Sequence, residues 1–200
     1  MTSISRMIRL GFELLRRDTR GMAAVEFALV APILVTMLVG AIDVSRAVAL
    51  NQRVGLVTQM VADLAARETQ LTASDVEAIY DIAALVMAPY PTQDLQIAII
   101  PVMSATDDAK NTVVYPSTTN RPTYPTGSEL PKCQAYPLAE GFLKTNESVI
   151  VVETTYKYEP LWAKEVIEPI TWHKKAYAKP RKALCVGFDG ANCTTSCFSS

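Results

Sequence analysis

Gly21-Met22-Ala-Ala-Val-Glu26-Phe27-Ala-Leu-Val-Ala-Pro32-Ile-Leu-Val-Thr-Met-Leu-Val-Gly40-Ala-Ile42 is the stretch on which the reading of this chain turns. From Ala23 to Ile42 the only charged residue is Glu26. Twenty residues at a helical rise of about 1.5 Å span the roughly 30 Å hydrocarbon core of a bilayer. Backbone amides have no water to bond in lipid, so such a segment must be helical. Pro32 removes one helical hydrogen bond and predicts a local kink. Asp43 and Arg46 mark the far interface.

The upstream flank sets the orientation. Arg6, Arg9, Arg16, Arg17 and Arg20 stand against Glu13 and Asp18, whereas only Arg46 follows closely downstream. Basic residues stay on the cytoplasmic side, so the N-terminus is expected in the cytoplasm and everything after the helix outside it. Two other readings fit less well. A cleaved secretory signal would have a shorter apolar core and a small-x-small site before Asp43. A soluble core helix would show a polar face, and Phe27 to Ile42 has none.

Glu26 is the residue that an anchor alone does not explain. A carboxylate inside a spanning helix costs about 2–3 kcal/mol near the bilayer centre, less near its edge, and marks a functional candidate. Its bland reading is a side chain shallow enough to reach the headgroups. Its neighbours suggest more: a basic leader ends at Arg20-Gly21, and Glu26 stands five residues beyond that glycine, followed by Phe27. This arrangement resembles the processing site of type IV prepilins. The resemblance implies that a membrane-embedded prepilin peptidase cuts between Gly21 and Met22, which makes Met22 the new amino terminus and Glu26 the fifth residue. A buried carboxylate needs a cationic partner, and the freed α-amine of a neighbouring subunit can supply one. Glycine at the cut leaves the backbone open to the peptidase.

The stretch Arg20-Gly-Met-Ala-Ala-Val-Glu-Phe-Ala-Leu-Val-Ala-Pro-Ile-Leu, continuing to Ile42-Asp43-Val44-Ser45-Arg46, is similar to the opening of the TadE-like pseudopilins of tight-adherence (Tad) pilus systems. Ser148-Val-Ile-Val-Val-Glu-Thr-Thr-Tyr-Lys-Tyr-Glu-Pro-Leu resembles that family's late strand, and Ala176-Tyr-Ala-Lys-Pro-Arg its closing strand. The likeness runs over residues 16–70 and 148–182. The tail from Cys185 to Ser200 departs from the family pattern.

Downstream of the anchor, Leu50, Val54, Val57, Val61 and Leu64 step by four, three, four and three, a narrow helical stripe. It packs either on the chain's own domain or on other subunits. Anchor and stripe together predict one helix of about 45 residues, near 68 Å long. Ser74 and Glu77 read as a capping box opening a second helix to Met87, stopped by Pro89 and Pro91. Then the period changes to two. Leu95, Ile97 and Ile99 make one strand, Thr112 to Tyr115 a short one, Ile150 to Tyr158 a third, and Ile170 to Ala178 a fourth. Tyr115 to Pro137 is proline-rich and reads as a long loop. The fold class is therefore α+β and pilin-like, with a long N-terminal transmembrane helix, a second helix and an antiparallel sheet of three to four strands. The domain boundaries expected are a cleaved basic leader over 1–21, the transmembrane helix over 22–44, an extracytoplasmic domain over 45–182 and a cysteine-containing tail over 183–200.

Chemistry is sparse. The chain has no glycine-rich phosphate loop, no Gly-x-Ser-x-Gly and no His-Glu-x-x-His. Its one histidine, His173, stands beside Trp172 in an expected strand, and Asp107-Asp108 and Asp189 lack partners at ligand spacing. No enzyme, cofactor or metal is expected. With a net charge of −1 there is no basic surface for nucleic acid, and no small-molecule substrate is indicated. The four cysteines, Cys133, Cys185, Cys193 and Cys197, lie in the part expected outside the cytoplasm. There they read as two disulfides in one of three pairings. A zinc site is the other option, but the spacings of seven and three intervening residues fit no common pattern.

The functional expectation is a minor pilin for Tad pilus assembly or secretion, carrying Gly21 and Met22 for processing and Glu26 and Phe27 for assembly. Its expected partners are the bacterial inner membrane, the prepilin peptidase and other pilins, with its domain in the periplasm or the pilus. The alternative is a monomeric, membrane-tethered periplasmic binding module with an uncleaved anchor.

Overall fold

A computed structural model describes residues 21–104, 112–114, 134–162 and 168–188. The leader arginines, Asp107-Asp108, the segment 115–133 with Cys133, and the tail from Asp189 with Cys193 and Cys197 lie outside the described residues. By contact the chain divides into two units, Met1–Ser45 and Arg46–Ser200.

The described part of the first unit is the opening of helix α1, Met22–Arg67, which passes through Pro32 without a break in assignment. The hydroxyl of Thr36 donates to the Pro32 carbonyl at 2.8 Å, a bond back to the preceding turn. α1 is long and apolar enough to cross a membrane, and its most apolar window has no residue buried inside the protein. The one-helix expectation holds.

In the second unit the remainder of α1 lies on an α+β domain. Strand β1 (Gln70–Leu71) leads into helix α2 (Ala73–Met87), followed by β2 (Leu95–Ser104), β3 (Thr112–Val114), β4 (Gln134–Ala135), β5 (Ser148–Tyr158), β6 (Ile170–Ala178) and β7 (Gly187–Phe188). The main sheet is antiparallel in the order β4-β3-β2-β5-β6. Its centre is β2 against β5, in register from Leu95 opposite Tyr156 to Met103 opposite Ser148. β6 pairs along β5 from Ile170 opposite Tyr158 to Ala178 opposite Ile150. The sheet thus has one strand more than the upper expectation. β4 lies within the stretch read as loop, where prolines hide a two-residue edge pairing to β3. A separate parallel pair joins β1 to β7.

Alternation on the sheet explains the core. One face carries Leu95, Ile97 and Ile99 from β2 and Ile150, Val152 and Tyr156 from β5, all buried. Leu50, Val54, Val57 and Val61 of α1 and Val76, Ile79, Tyr80 and Ala83 of α2 belong to the same cluster. The α1 stripe is therefore spent on the chain's own domain, one of the two options that the spacing left open. The other sheet face carries Ile100, Val102, Val149 and Val151, which cluster with Tyr136 and Leu143. Both faces are covered, which is why β2 and β5 are apolar well beyond strict alternation.

The α2 cap corrects the expected Ser74–Glu77 box. Thr72 is the N-cap: its hydroxyl accepts from the Asp75 amide at 3.2 Å, and its own amide donates to the Asp75 carboxylate at 2.9 Å. Asp replaces the usual Glu at the third helical position, and the helix starts earlier than that box implies. At the other end, Arg53 Nη1 donates to the Val86 carbonyl at 3.1 Å and also to that of Ala88, with its guanidinium 5.5 Å from the centre of the Tyr90 ring. A side chain from α1 thereby satisfies the orphan carbonyls closing α2.

Candidate assembly site

The residues singled out in the sequence occupy the first turns of α1. Gly21 directly precedes Met22, the first α-helical residue. A Cβ added at Gly21 would meet nothing within 4 Å, and no positive φ requires glycine there. Folding of the described residues therefore gives no reason for glycine at position 21. Glu26 stands four residues after Met22, about 6 Å along the axis. It is exposed, as are Met22, Val25, Phe27 and Leu29 around it. Among the described residues Glu26 makes no hydrogen bond or ion pair. The result is a carboxylate set in an uncovered apolar surface, close to the backbone position that becomes an α-amine if the chain is cut after Gly21. Farther along, Asp43 is buried, at 3 % exposure.

In the second unit, one set of polar side chains is tied together. On the Tyr136 face of the sheet, Lys175 pairs with Glu153 at 2.7 Å and donates to the Tyr136 hydroxyl at 3.2 Å, while Tyr136 donates to Glu153. Burial and the Glu153 carboxylate push the Tyr136 phenol up to about 12. Burial alone would raise Glu153, but the hydrogen bonds from Lys175 and Tyr136 outweigh it and hold the carboxyl low. Hydrogen bonding to Glu153 raises the Lys175 ammonium. With all three groups held in their ordinary neutral-pH states, the trio cross-links β5, β6 and the segment after β4 and offers no group poised for proton transfer.

A groove of about 740 Å³ lies along Gln59, Ala62 and Asp63 of α1 and the end of β6 through Arg181. Asp63 there pairs with both Arg67 and Arg181, and the Arg67 hydrogen bond chiefly lowers its carboxyl. His173 shares a 3.1 Å, solvent-exposed hydrogen bond with Thr155 of the neighbouring strand. Neither place brings a nucleophile, a base and an orienting group together. Cys185 is buried and is not a free thiol, and the other three cysteines lie outside the described residues. Among the described residues no cluster of His, Cys, Asp and Glu could hold a metal ion.

Sequence reasoning singled out Gly21 and Glu26 and located the apolar helix, because each of these signals is local. It missed the Tyr136–Glu153–Lys175 trio, whose members are drawn from three separate segments. The one signal available was the position of Glu153 directly after the apolar run Val149–Val152 of β5.

Residues 21–69 match the family model described as TadE-like protein. No curated protein and no solved structure matches the chain. The matched region is Gly21, α1 and the two residues after it, so the likeness noted at 148–182 lies outside it.

Proposed function

We propose that this chain, TadE-like over residues 21–69, is a membrane-anchored minor pilin of a Tad pilus or secretion machine, cut by a prepilin peptidase between Gly21 and Met22. The observation that carries the proposal is the combination at the start of α1. A glycine that packing does not require stands five residues before a carboxylate exposed among apolar side chains. In lipid that carboxylate is costly alone and favourable once a neighbouring subunit's α-amine approaches it. Glu26 is then the assembly residue and Phe27 part of the helix–helix contact surface. The leader stays in the cytoplasm under the positive-inside rule, and the domain from Arg46 onward faces the periplasm or the pilus. In that oxidising compartment Cys133, Cys185, Cys193 and Cys197 pair as disulfides.

Replacing Glu26 by Ala is the test. We expect normal membrane insertion and normal removal of residues 1–21, with loss of co-purification with the other pilins of the system. Unchanged co-purification and piliation would count against the role. The second reading, a monomeric tethered binding module, predicts that outcome, because in such a module Glu26 contacts no other chain.

A further inference from the structure

The two edges of the main sheet are unlike. At one edge β4 is two residues long, whereas at the other β6 runs for nine. In an antiparallel pair only every second residue turns its N–H and C=O toward its neighbour, so the residues between them turn theirs away from β5. Among the described residues no strand lies beyond β6, and Lys174 to Ala178 make no backbone hydrogen bond outside their pairing with β5. The groove of about 740 Å³ lies along this open edge, lined by Lys175, Ala176, Tyr177 and Ala178 in unbroken succession. Successive side chains of a strand point to opposite faces, so an unbroken run lines a groove only where the groove meets the strand edge-on. Small side chains open the space: Ala176 and Ala178 lie on the α1 side of the sheet with Ala62. Farther on, the Arg181 amide donates to the Ala66 carbonyl at 2.9 Å and ties the chain after β6 to the end of α1. Charge marks the same edge. From Ile170 to Phe188 stand Lys174, Lys175, Lys179, Arg181 and Lys182, with no aspartate or glutamate. Lys175, Lys179 and Arg181 pair with Glu153, Glu147 and Asp63 at positions open to water, which leaves basic groups in excess. A second copy of β6 laid along the edge would set lysines against lysines, so the edge does not suit self-pairing.

We infer that the open edge of β6 is a docking site for an extended segment of another protein in which acidic and apolar residues alternate, added to the sheet as a further strand beside α1. The backbone of that segment bonds to the outward N–H and C=O groups of β6, which gives affinity without regard to sequence. Alternation gives the specificity. Side chains turned toward α1 enter the space over Ala62, Ala176 and Ala178 and are apolar. Those turned the other way lie beside Lys175, Tyr177 and Lys179 and are acidic, because opposite charges on neighbouring strands attract. Cavities of roughly 300–1,000 Å³ hold small ligands, so the groove has room for a few such side chains. Asp63, the one carboxylate in the lining, is engaged by Arg67 and Arg181 and adds little repulsion. All of these groups belong to the second unit, and the site is independent of processing at Gly21 and of the assembly role of Glu26.

The probe is a short, end-blocked peptide of alternating glutamate and valine, added to the full chain in mild detergent. One control of the same length replaces glutamate by lysine. The other keeps the side chains but is N-methylated along its backbone, so it has no N–H to pair as a strand. By fluorescence anisotropy we expect the glutamate peptide to bind about tenfold or more tightly than either control, and Lys179→Glu to weaken it about fivefold. Near-ultraviolet circular dichroism of Trp172 checks that this variant keeps its fold. Amide hydrogen exchange read by nuclear magnetic resonance tests the geometry. Saturating glutamate peptide should slow exchange about tenfold or more at alternate residues between Lys175 and Lys179, and leave the amides already bonded to β5 unchanged. Absence of binding, or equal binding of the lysine peptide, overturns the inference. So does equal binding of the N-methylated peptide, since charge alone then holds it. Slow exchange at those alternate amides without any peptide overturns it as well: a second copy holds the edge if the effect fades on dilution, and a segment of the same chain holds it if the effect persists.

Discussion

Val57→Ala probes the division of labour along α1, because Val57 is fully buried while its neighbour Leu56, on the same helix, is 57 % exposed. The substitution removes two carbons, about 1.6 kcal/mol of transfer free energy at about 0.8 per methylene. The cavity adds up to about 1 kcal/mol if α1 and the sheet do not close on it. Alanine's better helix propensity returns about 0.5 kcal/mol. The net loss is about 1–2 kcal/mol, a urea midpoint lower by roughly 0.5–1 M at a slope of about 2 kcal/mol per molar. The assay is urea unfolding of the full chain in mild detergent. Near-ultraviolet circular dichroism reads Trp172, which is stacked on Tyr158 and Tyr156 in the domain core. Leu56→Ala is the matched control, with an expected change under about 0.5 kcal/mol. If Val57→Ala costs no more than Leu56→Ala, the stripe does not hold the domain to the helix and the account of the core is wrong.

Thr72→Ala should destabilise the domain by about 1 kcal/mol through loss of the N-cap, while Ser74→Ala and Glu77→Ala should each change it by less than about half of that. The urea midpoints of the three variants rank the caps directly. Alkali should also weaken the fold. Burial raises the phenols of both Tyr136 and Tyr156 to about 12. The folded state therefore keeps protons that the unfolded state loses near 10, and this stabilisation is complete below about pH 10 and disappears as pH rises through about 12. Absorbance titration in the near ultraviolet should show a late class of tyrosines that merges with the rest once urea unfolds the protein; a single class near 10 in the native chain contradicts the burial.

What the sequence made legible was whatever a periodic signal can carry. The charge-free run after Glu26, the four-three stripe from Leu50 to Val61 and the alternation in β2, β5 and β6 each repeat within one element, so α1 and the three long strands could be located from residue order alone. The cap of α2 was misplaced because Thr72-Ala-Ser74-Asp75-Val-Glu77 contains two overlapping capping patterns, and only the backbone of Thr72, extended at φ −91° and ψ 164°, selects between them. β4 and the β1–β7 pair are two residues long and owe their existence to partners distant in sequence. The same holds for Asp63 with Arg181 and for Tyr136 with Glu153 and Lys175. Such contacts follow from packing and have no local period. The candidate assembly site is the opposite case. Gly21 and Glu26 could be singled out from residue order because a glycine ends a basic leader and a glutamate stands five residues beyond it, at the start of an apolar run.

The central claim is that α1 begins its working life at Met22. The direct measurement is the amino-terminal sequence of the full chain extracted from membranes after co-expression with the system's prepilin peptidase. The account predicts a chain starting Met22-Ala23-Ala24-Val25-Glu26, together with an uncut chain starting at Met1 when the peptidase is absent. A chain that keeps Met1 with the active peptidase present would contradict it.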